Sequence, residues 1–327
     1  MRRRAALLAL ASPFGAATPG RAQPAGISGR PIRVVQPFPP GGAVDAWARL
    51  VAEGLSPRLQ VPVVVESRSG ATGLLAAEHV ARSVPDGTTL LLTTDILIQA
   101  PLMLGRSPID PIQDLAPIGR IGHTTLTFVV GPAVPAEVTT MPQFLAWAAG
   151  RPVVLAHTGG GSPGFMVNTL LIRSHGLDAA HIGYRGEPPM VPDLLAGRFH
   201  GAFVTTITFG ELIRTGRVRP LATVGPLRLP SLAATVPNMQ ELGLLQDYAY
   251  RSFIGLFGPR GMPAETEAAL ARALRETLAD PAIRQRLVAF DTFPGHEGPA
   301  EFAVSVATAQ RNWIDIMAMT GVAPPAD

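Results

Sequence analysis

Short runs rich in Val, Ile and Leu alternate along this chain with longer stretches whose apolar residues recur every three or four positions. Runs of the first kind predict buried strands, and the spacing of the second predicts helices with one face on a core. Ile32 to Gln36 reads as a strand, Val44 to Leu55 as a helix, and Val61 to Glu66 as a second strand. A Gly-punctuated turn at Arg68 to Gly73 opens a helix from Leu74 to Arg82, and Pro85-Asp86-Gly87 turns the chain into a strand over Thr88 to Thr93. Leu115 to Ile121 and Thr124 to Val130 read as two further strands.

From Met141 the pattern restarts with a helix to Ala149 and a strand over Pro152 to Ala156. A helix over Phe165 to His175 follows, then a short strand near Ala180 to Tyr184, a helix over Pro189 to Ala196 and a strand over Phe199 to Thr205. Ile207 to Thr215 is expected as a helix, Val218 to Val224 as a strand, Pro237 to Leu242 as a short helical piece and Phe253 to Phe257 as a strand. The end reads as three helices, Pro263 to Leu278, Pro281 to Ala289 and Pro299 to Met319. Strands alternating with helices predict α/β architecture with mostly parallel sheets and right-handed crossovers.

One unit occurs twice, at the head of each half. A strand runs into a Gly/Pro-rich turn, and the turn into a helix: Gln36 to Asp45 in the first half, His157 to Phe165 in the second. Such a turn leaves free backbone N–H groups at a helix N-terminus, which hold an anion without a cationic side chain. Taken singly, each is also an ordinary tight connection, with Asp45 in a first helical turn and paired at i+4 with Arg49. Two such turns facing each other across a cleft make a two-jawed anion site.

Composition narrows the class. With 327 residues, 47% hydrophobic and 16% charged, the chain has material for two cores. Its net charge of +3 suggests a polyanion partner, but Arg2, Arg3, Arg4 and Arg21 all precede Gln23 and no acidic residue does. Removing these four of the 27 basic residues leaves 23 against 24 acidic ones, so nucleic acid is not an expected partner. Met1 to Arg4 followed by the apolar Ala5 to Ala11 and the small residues up to Ala22 reads as an export signal over 1–22, cleaved near Ala22. The arginine cluster leaves both the general and the twin-arginine route open. With no cysteine there is no disulfide framework or thiolate metal site, and the seven histidines show no ligand spacing, so neither metal nor cofactor is expected. The expected compartment is the periplasm.

Two other motifs compete for the second turn. Gly160-Gly161-Ser162-Pro163-Gly164 satisfies G-x-S-x-G, with Asp291 and His296 following in the order of a hydrolase triad. Against this, the oxyanion hole needs the N–H of the residue after the nucleophile, and Pro163 has none. Gly159 to Gly164 also fits G-x-G-x-x-G, but Asp178 follows a helical stretch and not a second strand, so the dinucleotide fingerprint is incomplete.

In order and spacing the chain resembles the extracytoplasmic solute-binding proteins of the tripartite tricarboxylate transporter, the Bug family. The resemblance rests on Pro37 to Gly42 with Asp45 and Arg49, Val65-Glu66, Gly70 to Gly73, Pro85 to Leu90, Asp114 to Ile118, Gly159 to Ser162, Tyr184 to Gly186, Asp193 to Gly197, Glu241 to Gly243, Gly258-Pro259 and Met262-Pro263. It implies a two-domain periplasmic binding protein of the second, flytrap-like type, with residues 27–126 plus 253–327 as a discontinuous first domain and 127–252 as the second. It also implies a small carboxylate ligand, a membrane permease as partner, a monomer and no catalytic residues. The first jaw would be Phe38, Gly41, Gly42, Ala43, Val44 and Asp45, and the second Thr158, Gly159, Gly160, Gly161, Ser162 and Phe165, with Gly70, Ala71, Thr94, Tyr184 and Thr205 near the cleft. Asp45 either accepts from a ligand or caps its own helix. The chain departs from the family at Phe165, usually His, at Val44, usually a hydroxyl residue, and at Ser67, often Asn. A less polar pocket follows, suited to a monocarboxylate or an aromatic or apolar-bodied acid more than to citrate. A ligand-sensing role for a membrane receptor and an exported serine hydrolase using Ser162 are the alternatives.

Overall fold

Val34 and Val35 are completely buried at the centre of the first strand, β1 (Ile32–Gln36), because helices cover the sheet on both faces. The computed structural model describes residues 26–27, 29–105, 107–232, 234–246 and 252–321. The export signal expected over 1–22 lies outside the described residues.

β1 leads into α1 (Ala43–Leu59), β2 (Val63–Ser67), a short turn of 3₁₀ helix at Ala71–Gly73, α2 (Leu74–Ala81), β3 (Thr89–Thr94), α3 (Ile96–Leu104) and β4 (Leu115–Thr124). The chain then supplies β5 (Thr127–Val130), α4 (Met141–Ala148), β6 (Val153–His157), α5 (Pro163–His175), β7 (Ala179–Gly183), α6 (Met190–Leu195), β8 (Gly201–Val204), α7 (Thr206–Arg214) and β9 (Arg219–Thr223). It ends with β10 (Ser252–Pro259), α8 (Ala264–Ala279), α9 (Pro281–Ala289), β11 (Phe293–Glu297) and α10 (Pro299–Thr320).

These strands form two sheets, β11-β4-β10-β3-β1-β2 and β7-β6-β8-β5-β9, each flanked by helices in a two-domain α/β arrangement. The chain passes from the first sheet to the second through Thr125 and Leu126 alone, and it re-enters the first at Ser252. Both sheets are mixed where the alternating pattern predicts mostly parallel ones. β1 pairs in parallel with β2 and β3, and β6 with β7 and β8, as expected of strand–helix–strand units. β10 runs antiparallel to β3 and β4, β11 to β4, and β5 to β8 and β9. The antiparallel pairings belong to β4, β5 and β10, the strands through which the chain changes sheets, together with the neighbours they recruit.

The first core is built on α1, whose Trp47, Leu50, Val51 and Leu55 are buried at helical spacing. α8 packs against it so closely that a Cβ on Gly54 would stand 2.3 Å from Thr277 Cγ2. In the second core, Phe128 lies between Phe144 and Phe203 with ring centroids 4.9 Å from each. Each such tilted pair adds about 0.5–1.5 kcal/mol beyond the area it buries.

Three elements differ from the sequence reading. α3 has Ile96, Leu97, Ile98, Gln99 and Ala100 all buried, so it has no polar stripe to reveal a helical period. β11 contains Pro294 and Gly295, residues that argue against a strand but are tolerated at the edge position it occupies. The helical piece expected over Pro237 to Leu242 is a run of turns, pinned by a single bridge between Asn238 and Thr223.

Candidate functional site

β1 ends on Gln36, a fully buried side chain that shapes the turn after it. Gln36 Nε2 donates to the Phe38 carbonyl at 2.7 Å, and Oε1 accepts from Phe38 N at 2.9 Å. Asp45 closes the turn from the helix side, its Oδ2 accepting from Gly41 N at 3.0 Å and from Arg49 Nε at 2.9 Å. Gly41 takes φ +86°, a conformation that a side chain would strain. α1 begins at Gly42 with no side chain capping it, so its first N–H groups and the positive end of its dipole are left for an external acceptor.

The second turn is built differently. Ser162 Oγ turns back and accepts from Phe165 N at 3.2 Å, so α5 is capped by its own chain. Pro163 has no N–H to offer. His157 Nδ1 accepts from Gly159 N at 3.1 Å, which ties the loop to the end of β6. Burial, and then the neighbouring His181, push the His157 pKa down to about 4, so the ring is neutral and acts as an acceptor. The two turns therefore make an unequal pair of jaws, with the open helix terminus on the first.

Between the two sheets lies a cavity of about 90 Å³, room for a small organic molecule in place of a few waters. Gly42, Ala43 and Val44 at the start of α1 line it, and Thr158, Pro163 and Gly164 stand on the other side. Phe38, Trp47, Ile96, Leu126, Val167, Phe203 and Val224 give it apolar walls. Hydroxyls come from Thr94, Thr124, Thr125, Thr158, Thr205 and Ser252. Trp47 is held in the wall by donating from Nε1 to Thr292 Oγ1 at 2.8 Å.

One acid joins this lining. Glu187 Oε1 accepts from Thr205 N at 2.7 Å, and its Oε2 is 2.6 Å from Thr205 Oγ1 at the head of α7. Burial raises the Glu187 pKa, and hydrogen bonds from Thr205 and Thr208 partly oppose the rise. Behind Ser252, Asp95 is fully buried and accepts from Ser252 Oγ. Burial lifts its pKa to about 8.

Of the residues singled out from sequence, Phe38, Gly42, Ala43, Val44, Thr94, Thr158 and Thr205 meet at this cavity. The others are placed elsewhere, each for a physical reason. Gly41 and Asp45 hold the first turn from within. Gly70 (φ +143°), Ala71 (φ +47°) and Thr72 (φ +51°) form a tight left-handed turn beside the second loop. A Cβ on Gly159 would stand 2.8 Å from Thr72 Oγ1, and one on Gly161 2.8 Å from Ala100 Cα. Gly159 is thus packed on the Gly70 to Gly73 turn and Gly161 on α3, Gly160 stands in open space, and none of the three lines the cavity. Ser162 is spent as a helix cap. Phe165 packs edge-on against His157 and tilted against His181, with centroids at 4.9 Å and 4.7 Å, and it does not line the cavity. Tyr184 donates to Asp193 Oδ2 at 2.8 Å, and burial pushes its pKa up to about 12.

Sequence reasoning missed Glu187, Trp47, Ser252 and Gln36. A Gly-Glu-Pro-Pro turn carries the signature of an exposed loop, and nothing local reveals that Thr205 will receive the carboxylate. Gln36, the last residue of a strand before a Pro-rich turn, is the one with a usable signal.

Residues 47–317 match the family described as the tripartite tricarboxylate transporter family receptor. Protein BugT of Bordetella pertussis is 31% identical over 299 residues, 89% of this chain and 90% of its own. The periplasmic binding protein BugD superposes with a TM-score of 0.84 at 26% identity, over 90% of this chain and 99% of BugD. An R. palustris protein solved with adipate gives the same TM-score at 28% identity, over 90% and 98% of the two chains. The family and these neighbours are binding proteins and not enzymes, and the hydrolase alternative falls with that. The described geometry agrees: Ser162 caps α5, Asp291 accepts from Thr206 and Ser231, and His296 lies against the Arg120 carbonyl.

Proposed function

The chain belongs to the tripartite tricarboxylate transporter receptor family, and we propose that it captures a small carboxylate between its two α/β domains and hands it to a membrane permease. The observation that carries this reading is the uncapped N-terminus of α1 opening onto the cavity between the two sheets. A carboxylate there accepts from backbone N–H groups and takes up the helix dipole. The threonine hydroxyls of both domains complete its hydrogen bonds, and Phe38, Val44, Trp47 and Phe203 enclose an apolar body. Among the described residues no Arg or His lines the cavity, so those residues hold the anion by dipoles.

On this reading the domains are residues 27–126 plus 253–327 and residues 127–252, closing by hinge motion about Thr125-Leu126 and the start of β10. The chain is exported after cleavage near Ala22 and works as a monomer in the periplasm. Among the described residues no helix is long and apolar enough to cross a membrane.

A thermal-shift screen of the purified protein against mono-, di- and tricarboxylates, aromatic acids and neutral controls tests the proposal. A ligand at about 100 times its Kd adds roughly 2.7 kcal/mol of stability, a shift of several degrees. Stabilisation by acids and not by neutral controls supports carboxylate capture. Stabilisation by neutral compounds alone refutes it.

A further inference from the structure

Among the described residues that line the cavity, Glu187 alone is ionisable. Its side chain is nine-tenths buried, and among the described residues no basic side chain shares the cavity wall with it. A buried carboxylate without a counter-ion is costly, and the cost is recovered when a cation or a proton arrives. The hydroxyls around the cavity both donate and accept, so they do not choose the sign of a ligand group. Glu187 does choose it.

The hydrogen bonds of Glu187 decide which sign. Oε1 already accepts from a backbone N–H, that of Thr205, which can only donate. Oε2 is paired with Thr205 Oγ1 at 2.6 Å, a separation typical of a hydroxyl bonded to an ionised carboxylate. If Glu187 binds a proton instead, that proton is directed to a hydroxyl already beside the carboxyl, that of Thr205 or Thr208. In either state the carboxyl presents to the cavity only spare acceptor lone pairs. It also occupies the N-terminal end of α7, a place where a second ligand carboxylate would otherwise be stabilised. The loop carrying it lies against the open terminus of α1, since a Cβ on Gly42 would stand 3.5 Å from Pro188 Cδ. Donors at one end of the cavity and an acceptor beside them describe a dipolar ligand.

We propose that the ligand is a zwitterion, with one carboxylate at the N-terminus of α1 and one protonated nitrogen donating to Glu187, and that Glu187 rejects a second carboxylate. This rests on the carboxylate reading of the α1 terminus. It adds the identity of the other end.

Isothermal titration of four probe series, matched for chain length from propionate to caproate, tests it. The series are simple monocarboxylates, the ω-amino acids of the same lengths, the dicarboxylates (adipate the longest) and the simple amines. The expected result is that at the best length the amino acid binds at least about tenfold tighter than the monocarboxylate, with the dicarboxylate weakest, as a desolvated charge pair requires. Glu187→Gln keeps the acceptor oxygen for Thr205 N, and it is expected to erase the preference while still binding the monocarboxylate. The wild-type ranking stands as a test even if the variant misfolds. A dicarboxylate or plain monocarboxylate that binds as tightly as the amino acid overturns the assignment of Glu187 and leaves carboxylate capture standing. Amines binding where no carboxylate does overturns carboxylate capture itself. Silence from all four series overturns both.

Discussion

Asp291 and Thr206 join the two halves of the molecule: Thr206 Oγ1, at the start of α7, donates to Asp291 Oδ2 at 2.6 Å. Asp291 sits in the loop before β11 and is buried, and it also accepts from Ser231 N at 3.0 Å and from Ser231 Oγ. Its neighbour Thr292 accepts from Trp47, a residue of the cavity wall. The latch therefore begins one residue from the ligand cavity.

Asp291 takes φ +50°, which asparagine tolerates, so Asp291→Asn removes the charge without straining the backbone. Leaving Thr206 and Ser231 poorly paired should cost about 1–3 kcal/mol. A double-mutant cycle of Asp291→Asn and Thr206→Val in urea unfolding is expected to show coupling of roughly 0.5–3 kcal/mol. Strict additivity would mean that the contact carries no energy.

Gly161→Ala tests the contact between the second loop and α3. The added methyl would stand 2.8 Å from Ala100 Cα, a backbone atom that cannot swing aside. Each domain keeps its own core, so the melting temperature without ligand should change little. Closure is blocked, and affinity for any ligand found by the thermal screen should fall by about tenfold or more, since a misfit of this size costs upward of 1 kcal/mol. Unchanged affinity by titration would show that the second loop and α3 do not meet when the ligand is bound.

Stability should fall as pH rises from about 7 to about 8, and Asp95 is the cause. Its pKa of about 8 in the folded chain lies above the ordinary value of 3.8, so the folded state holds a proton that the unfolded state has lost. Such a group contributes stability below its unfolded pKa and loses it as pH climbs through the folded one. Glu187, also raised by burial, acts in the same direction. His157, lowered to about 4, works oppositely, but only below about pH 6.5, where the unfolded ring gains its proton. Asp95→Asn keeps an acceptor for Ser252 and is expected to flatten the decline, worth a few degrees in a melting series across this window. A wild-type melting temperature that stays level from pH 7 to 8 would contradict a protonated Asp95.

Ser162→Ala should behave as the loss of a helix cap. The Phe165 N–H loses its acceptor, and stability drops by about 1 kcal/mol in thermal or urea unfolding. Background turnover of an ester substrate by the purified protein should be the same before and after the substitution. A fall in turnover with stability intact would restore the nucleophile reading.

What the sequence determined by itself is local. The β-branched runs, the Gly/Pro breaks and the apolar spacing place β1, α1, β3, β6 and α5 close to where they form, because strand and helix periods are written in neighbouring residues. The same local chemistry marks the Gly42 to Val44 turn, which depends on glycine conformations and an open helix end. α3 and β11 escaped because burial on all sides and an edge position erase the periodic signal. The tertiary structure alone decided the rest of the site. Glu187 reads as an exposed turn residue until α7 delivers Thr205 N to it, and Phe165 reads as a pocket wall until His157 and His181 take its ring. Ser162 reads as part of an anion jaw until its hydroxyl turns back to cap Phe165 N. In each case the deciding partner comes from how the backbone packs, through a distant segment or a side chain turned back on its own helix, and residue spacing does not encode that meeting.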